Sequence, residues 1–149
     1  GAIWALALAG DALYLGGQFT HYGATAVPRL AKISATTAEL DPTFASGTGA
    51  SSGLNADVTS LLATADSIYV GGGFTLYRGT AVNRLLKLDL ATLTPDTAFN
   101  PSPGWTGAVR ALDLEGTSLL VGGDFPTYRT LLAPHFATVD AVTGEFVDD

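Results

Sequence analysis

The side chains able to do chemistry in this chain are few and widely spread. It has no cysteine, so thiolate nucleophiles, disulfides and thiolate metal sites are all excluded. Its histidines, His21 and His135, lie far apart, and neither sits in a His-Glu-x-x-His pattern or another short metal-ligand spacing. Asp41, Asp89, Asp96 and Asp140 recur at turn-like positions. Calcium takes about six to eight oxygens, and the Asp-x-Asp-x-Asp-Gly spacing is missing. Capping of turn amides is the favoured role for these carboxylates. Asp113 interrupts an apolar stretch, where an isolated buried carboxylate is costly, so it is expected to face solvent or find a partner. Arg110 is three residues away and falls on the opposite face of a strand. General acid–base chemistry needs a second positioned group, and the sequence names none. Gly71-Gly-Gly73 ends a strand with no helix after it, which rules out a phosphate-cradling loop. No serine nucleophile elbow is present. The catalytic, metal and cofactor expectation is therefore none.

The elements that carry these residues are repeated. Leu13-Tyr-Leu-Gly-Gly-Gln-Phe-Thr20 returns as Ile68-Tyr-Val-Gly-Gly-Gly-Phe-Thr75 and as Leu119-Leu-Val-Gly-Gly-Asp-Phe-Pro126. Residues 3–44 align with 58–99, and 58–98 with 109–149, without internal gaps. The identical columns are Leu6/Leu61/Leu112, Gly16/Gly71/Gly122, Gly17/Gly72/Gly123, Phe19/Phe74/Phe125, Tyr22/Tyr77/Tyr128 and Thr37/Thr92/Thr143. A repeat of this size is one supersecondary unit that buries its faces against copies of itself. The units span 1–57, 58–108 and 109–149, the third ending at Asp149 just before the column of Phe44 and Phe99.

Each unit predicts four short antiparallel strands. The first, Ile3–Ala9 and its counterparts opening at Val58 and Val109, is nearly continuous in apolar residues, as a strand covered on both faces requires. Two-residue turns follow at Gly10-Asp11, Ala65-Asp66 and Gly116-Thr117. The second strand ends on the Gly pair, where another backbone or an aromatic ring can approach closely. The third is Arg29–Ile33, Arg84–Leu88 and His135–Val139. The fourth ends at Leu40-Asp-Pro-Thr-Phe44 and Pro95-Asp-Thr-Ala-Phe99, its proline suiting an edge. The expected fold is all-β: three tandem four-stranded β-propeller blades. Known propellers have about four to eight blades. Three blades therefore predict either a segment of a larger propeller or a ring completed by an oligomer, with an open solenoid-like stack the weaker alternative. The absence of Met favours a processed product or a piece of a longer chain.

The pattern Val-x-Ala-Leu, then Gly-Gly-x-Phe-Thr, then Arg-Leu-x-Lys-Leu-Asp, then Leu-Asp-x-x-Phe resembles the delta-60 repeat, and the Gly pair is similar to kelch blades. The resemblance covers essentially the whole chain. It implies a β-propeller in a large exported or surface protein of bacteria and supplies no catalytic residues. The third copy departs from the pattern at His135, Phe136, Thr138 and Pro126.

Composition narrows the partners. Net charge is −7 with only 14% charged residues, which argues against nucleic acid and anionic membrane surfaces. No apolar run is long enough to span a bilayer as a helix. Repeated Arg29/Arg84 and Lys32/Lys87 serve the unit itself, pairing toward Asp41 or Asp96. His135 takes the arginine column as a hydrogen-bond donor, and His21 shares a column with Leu76 and Thr127. Unrepeated residues are the better functional candidates. Trp105 lies in a connector unlike the other, and Trp4 shares its column with Thr59 and Arg110. Exposed aromatics stack on sugar rings or anchor protein contacts, whereas Trp105 folded down would cover a sheet edge. The candidate ligand-binding set is Trp105, Trp4, Tyr22, Tyr77, Tyr128 and Asp113. The expected function is a non-catalytic binding or structural module, extracellular or cell-surface, contacting protein or glycan through its loops. A lectin-like propeller with one sugar site per blade is the first alternative, resting on Tyr22/Tyr77/Tyr128. A fragment of a propeller enzyme, resting on Asp113 and His21, is the second.

Overall fold

The computed structural model describes residues 1–45, 53–99 and 103–147. Parts of both connectors, and the end of the third copy at Asp149, lie outside the described residues. The first unit contains β1 (Ile3–Ala9), β2 (Ala12–Gly17), β3 (His21–Tyr22), β4 (Thr25–Ala26), β5 (Leu30–Ser34) and a single helical turn, α1 (Pro42–Ala45). The second contains β6 (Val58–Ala63), β7 (Ser67–Gly72), β8 (Leu76–Tyr77), β9 (Thr80–Ala81) and β10 (Leu85–Asp89). The third contains β11 (Val109–Glu115), β12 (Ser118–Gly123), β13 (Thr127–Tyr128), β14 (Leu131–Leu132) and β15 (Phe136–Asp140). The chain is all-β, built from three like antiparallel sheets ordered β1-β2-β5, β6-β7-β10 and β11-β12-β15.

The repeated columns occupy the same register in every sheet. Leu6 faces Leu15, Leu61 faces Val70 and Leu112 faces Val121. The first strand of each unit slips register at its start, between Ile3 and Ala5, Val58 and Ser60, or Val109 and Ala111. The bulged residues are Trp4, Thr59 and Arg110, so the one aromatic, one hydroxyl and one cation of that column sit where a bulge re-aims a side chain. Between the second and third strands each unit inserts a small hairpin, β3-β4, β8-β9 or β13-β14.

The four-stranded expectation is corrected to three strands plus a bridge. Among the described residues the fourth segment joins the third through a single bridge pair in each unit, Ile33–Leu40, Leu88–Pro95 and Val139–Phe146, with backbone bonds on either side, as from Asp41 N to Lys32 O at 2.8 Å. In the first unit Pro42 then starts α1, because its fixed φ suits the first helical position. Asp41 caps that turn, accepting from the Thr43 amide at 2.9 Å. In the second unit Asp96 accepts likewise from the Ala98 amide at 3.0 Å.

Consecutive sheets stack face to face, with β6 beside both β1 and β11. The incoming face of the second sheet (Val58, Ile68, Val70, Leu86, Leu88) and the outgoing face of the first (Tyr14, Leu30, Phe44) form one core cluster. The incoming face of the third sheet (Val109, Leu119, Val121) and the outgoing face of the second (Tyr69, Leu85, Phe99) form another. Leu15, Phe19, Val27, Ala31 and Ile33 make a smaller core on the incoming side of the first sheet. Coverage on both faces therefore holds for β6 and not for the ends. In β1, Ile3, Trp4, Leu6 and Leu8 are exposed, because no sheet stacks on that side.

Gly16 and Gly71 explain the doublet. A Cβ on Gly16 would collide with Val58 Cγ1 and lie 3.1 Å from Leu61 Cδ1; on Gly71 it would lie 2.6 Å from Val109 Cγ1. The glycine column is the seat for the first valine of the next sheet.

Candidate functional site

The repeated polar residues tie each unit together. The tyrosine column donates its hydroxyl to a backbone carbonyl sixteen residues on: Tyr22 to Ala38 at 2.7 Å, Tyr77 to Leu93 at 3.3 Å, and Tyr128 to Gly144. Each acceptor residue has a left-handed backbone, φ 60° at Ala38, 56° at Leu93 and 65° at Gly144. Burial pushes the Tyr77 and Tyr128 phenols above their ordinary pKa. The preceding turn is capped from its first residue. Asp89 accepts from the amides of Ala91 and Thr92 at 2.9 and 2.8 Å, and Asp140 from those of Val142 and Thr143 at 3.0 and 2.7 Å. Ser34 does the same with Thr36 and Thr37. Thr92 and Thr143 add hydroxyl bonds to the same carboxylate oxygens. These bonds hold the Asp89 and Asp140 carboxyls below the ordinary carboxylate range, the backbone bond to the invariant threonine being the largest cause.

The lysine column pairs as the spacing predicts, Lys32 Nζ to Asp41 at 2.7 Å and Lys87 Nζ to Asp96 at 3.2 Å. Partial burial pulls the Asp41 carboxyl upward. Hydrogen bonds from Lys32 and Thr43 outweigh it and lower the pKa to about 2. In the third unit both partners are lost together, Thr138 and Val147 occupying the two columns. Lys87 and Tyr69 also reach across to the next sheet, donating to the Ala141 carbonyl at 3.1 and 2.6 Å.

The arginine column reaches forward. Arg29 donates to Leu54 O at 3.0 Å and Arg84 to Trp105 O at 2.6 Å, each fastening the connector that leads into the next unit. His135 occupies this column with the same left-handed backbone, φ 68° against 67° and 73° for Arg29 and Arg84. Its Nδ1 lies 3.2 Å from Gly123 O within its own unit, so it replaces the arginine as a polar partner without bridging to another sheet.

Trp105 is 3% exposed, stacked on Tyr128 at 4.0 Å and tilted against Phe125 at 4.4 Å. A backbone bridge to Tyr128 fixes it there, as Leu54 is bridged to Tyr77 one unit earlier. Trp105 is a core side chain and offers no open face for a sugar ring. Tyr77 and Tyr128 are likewise buried, and Tyr22 is half-buried. Trp4 is 48% exposed and remains the accessible aromatic of the candidate set. Asp113 is exposed and accepts from the Leu114 amide at 2.9 Å. Arg110 turns away from it to Asp124, Nε to Oδ2 at 2.7 Å. His21 is exposed beside Thr20, Nδ1 to Oγ1 at 3.0 Å. The structure therefore brings none of Asp113, His21 and Trp4 together by any hydrogen bond or ion pair among the described residues.

Two residues escaped the sequence reading. Leu131 and Leu132 project from the β13-β14 hairpin at 51% and 83% exposure. The first two units place Thr25-Ala26 and Thr80-Ala81 in those columns, so an unrepeated pair of large aliphatics where the others have Thr and Ala was the available signal. The open clefts lie between and beside units. One of about 400 Å³ is lined by Asp11, Lys32, Glu39 and Asp41, another of about 590 Å³ by Leu8, Tyr14, Thr64 and Leu90. No group of three or more His, Cys, Asp or Glu among the described residues could hold a metal, and no helix there is long and apolar enough to cross a membrane.

No protein-family model and no curated protein matches the chain. Among solved structures it is similar to two computationally designed proteins. The crystal structure of Ika8 shares 16% identity at a TM-score of 0.60, covering 99% of this chain and 36% of that one. The crystal structure of Ika4 shares 16% identity at a TM-score of 0.61, covering 99% of this chain and 71% of that one. The chain thus spans about a third of the Ika8 chain it matches. Likeness at this identity concerns the fold alone.

Proposed function

We propose that the three sheets are blades of a β-propeller, in units 1–57, 58–108 and 109–149, and that the chain is a non-catalytic binding and structural module. On the delta-60 resemblance, its setting is a large secreted or surface protein of bacteria. The stacking of like antiparallel sheets through one repeated seat supports the blade reading. The contact reading is carried by one observation, the Leu131-Leu132 pair protruding where the sister hairpins are Thr-Ala. Isolated apolar residues are ordinary on a surface. An adjacent pair on a hairpin tip, unrepeated and unused by the fold, is suited to a protein partner with an apolar recess. Polar residues shared by the units are engaged in turn caps, Lys–Asp pairs and carbonyl ties, which leaves recognition to the unrepeated positions.

The lectin alternative has weaker support, since of its candidate rings Trp105, Tyr77 and Tyr128 are covered, Tyr22 is half-buried and Trp4 is exposed. The enzyme alternative has only Asp113 and His21, and they share no partner. The test is binding of the wild type and of L131D/L132D to a protein array and a glycan array. The expected result is protein targets bound by the wild type and lost by the variant at unchanged thermal stability. Glycan signals abolished by Trp4→Ala and indifferent to L131D/L132D would replace this reading with the lectin one.

A further inference from the structure

The two interfaces inside the stack use one tyrosine column differently. Tyr14 and Tyr69 occupy the same place on the outgoing faces of the first and second sheets and are buried alike, at 2% and 3% exposure. Tyr69 completes its hydrogen bonding across the second interface, donating at 2.6 Å to Ala141 O, which also takes Lys87 Nζ at 3.1 Å. In the first interface the Ala141 column is Leu90. The turn itself is unchanged, Leu90 N donating to Asp66 O at 2.9 Å as Ala141 N does to Thr117 O at 2.8 Å. The tie between the sheets is nevertheless not made. The Tyr14 hydroxyl has no hydrogen-bond partner among the described residues, and Lys32 Nζ is held by Asp41 at 2.7 Å. A buried phenol ordinarily finds a partner, because its lost bond to water has to be replaced.

Tyr14 and Leu90 instead line a cleft of about 590 Å³ between the two sheets, together with Ala9, Gly10, Ala63 and Thr64. That volume lies within the range of ligand sites, about 300–1,000 Å³. The Thr64 hydroxyl is engaged in its own turn, with Ser67 O at 3.1 Å. No charged side chain of the described residues lines the cleft, so an ion entering it would lose hydration without meeting a counter-charge. One phenolic donor on an apolar lining suits one uncharged acceptor. The second interface shows which acceptor this column takes: a backbone carbonyl beside a small apolar side chain. We propose that the cleft between the first and second sheets binds an uncharged peptide segment of small apolar residues, one of whose backbone carbonyls accepts the Tyr14 hydroxyl. The site is separate from the Leu131-Leu132 hairpin, so either contact can fail alone.

The test is a chemical-shift titration of the isotope-labelled chain with N-acetyl-trialanine amide, an uncharged capped peptide, and separately with N-acetylglucosamine, which offers the same acetamide carbonyl on a sugar. The expected result is saturable shifts at Tyr14, Thr64 and Leu90 with the peptide. Tyr14→Phe should weaken that binding about two- to tenfold, the loss of one neutral hydrogen bond, and Tyr69→Phe should leave it unchanged. Urea unfolding of the same variants checks the premise: Tyr69→Phe, which breaks a tie, should lower the midpoint, and Tyr14→Phe should not. No saturable shift with the peptide, shifts indifferent to Tyr14→Phe, or shifts produced by the sugar alone would overturn the proposal. A midpoint lowered as much by Tyr14→Phe as by Tyr69→Phe would overturn it too, since the hydroxyl would then have its acceptor within the fold.

Discussion

Gly16→Ala and Gly122→Ala are the same substitution in the same column of two sheets, yet their outcomes should differ. Both replace a strand glycine outside the positive-φ set, so both remove unfolded-state freedom and gain about 0.5–1 kcal/mol on that account. At Gly122 the added methyl makes ordinary contact with Ala111 Cβ at 3.6 Å, and the gain stands. At Gly16 it runs into Val58 Cγ1 and lies 3.1 Å from both Leu61 Cδ1 and Val58 Cβ, in a cluster where Val58 is 0% exposed. Overpacking of this kind costs about 1–3 kcal/mol. The two variants should therefore differ by about 1–3 kcal/mol, with Gly122→Ala the more stable. Equilibrium denaturant unfolding reads this difference. Val58→Ala removes the colliding Cγ1 methyl. In that background Gly16→Ala should lose most of its penalty, giving a coupling of about 1 kcal/mol or more in a double-mutant cycle. Equal stabilities for the two alanine variants, or a coupling near zero, would refute face-to-face stacking through the glycine seat.

Trp105→Ala should destabilise the fold by about 3–5 kcal/mol, the range for deleting a buried large aromatic, because Trp105 is enclosed by Tyr128 and Phe125; unfolding free energy in urea checks it. Acid should weaken the first unit through Asp41, whose folded pKa of about 2 lies below its ordinary value of 3.8. A depressed carboxyl stabilises the fold above its unfolded pKa, and that stability is lost as pH falls through the folded value. Asp41→Asn should flatten this loss between about pH 5 and 2, by on the order of 1 kcal/mol after solvent screening, as followed by thermal melts across that range.

Much of the fold was legible because the chain repeats itself. Columns such as Thr92/Thr143 with Asp89/Asp140 carry local chemistry, a carboxylate bonding amides two and three residues on, and local chemistry is written in spacing. The Lys32–Asp41 pair was legible for the same reason. Features decided by what lies across an interface were not. Nothing in Pro101–Gly107 shows that Trp105 turns inward, since its place depends on Tyr128 and Phe125 of the following unit. The first strands of the units have similar apolar patterns, yet β6 is sandwiched while β1 is bare on one side, a distinction set by position in the stack. The fourth strand failed because Asp41-Pro42 caps and starts a turn, a local competitor that outweighed the edge-strand reading. Leu131 and Leu132 carry neither aromatic nor titratable chemistry, and their one mark in the sequence is bulk in columns that are otherwise Thr and Ala.

One contact is made twice in the stack, the first valine of a sheet resting on the glycine of the sheet before it. Nuclear Overhauser spectroscopy on a methyl-labelled sample reads it directly. Strong cross-peaks from the Val58 methyls to the Gly16 α-protons, and from the Val109 methyls to those of Gly71, are the predicted result. Val58 and Val109 methyls showing no cross-peak to either glycine would contradict it.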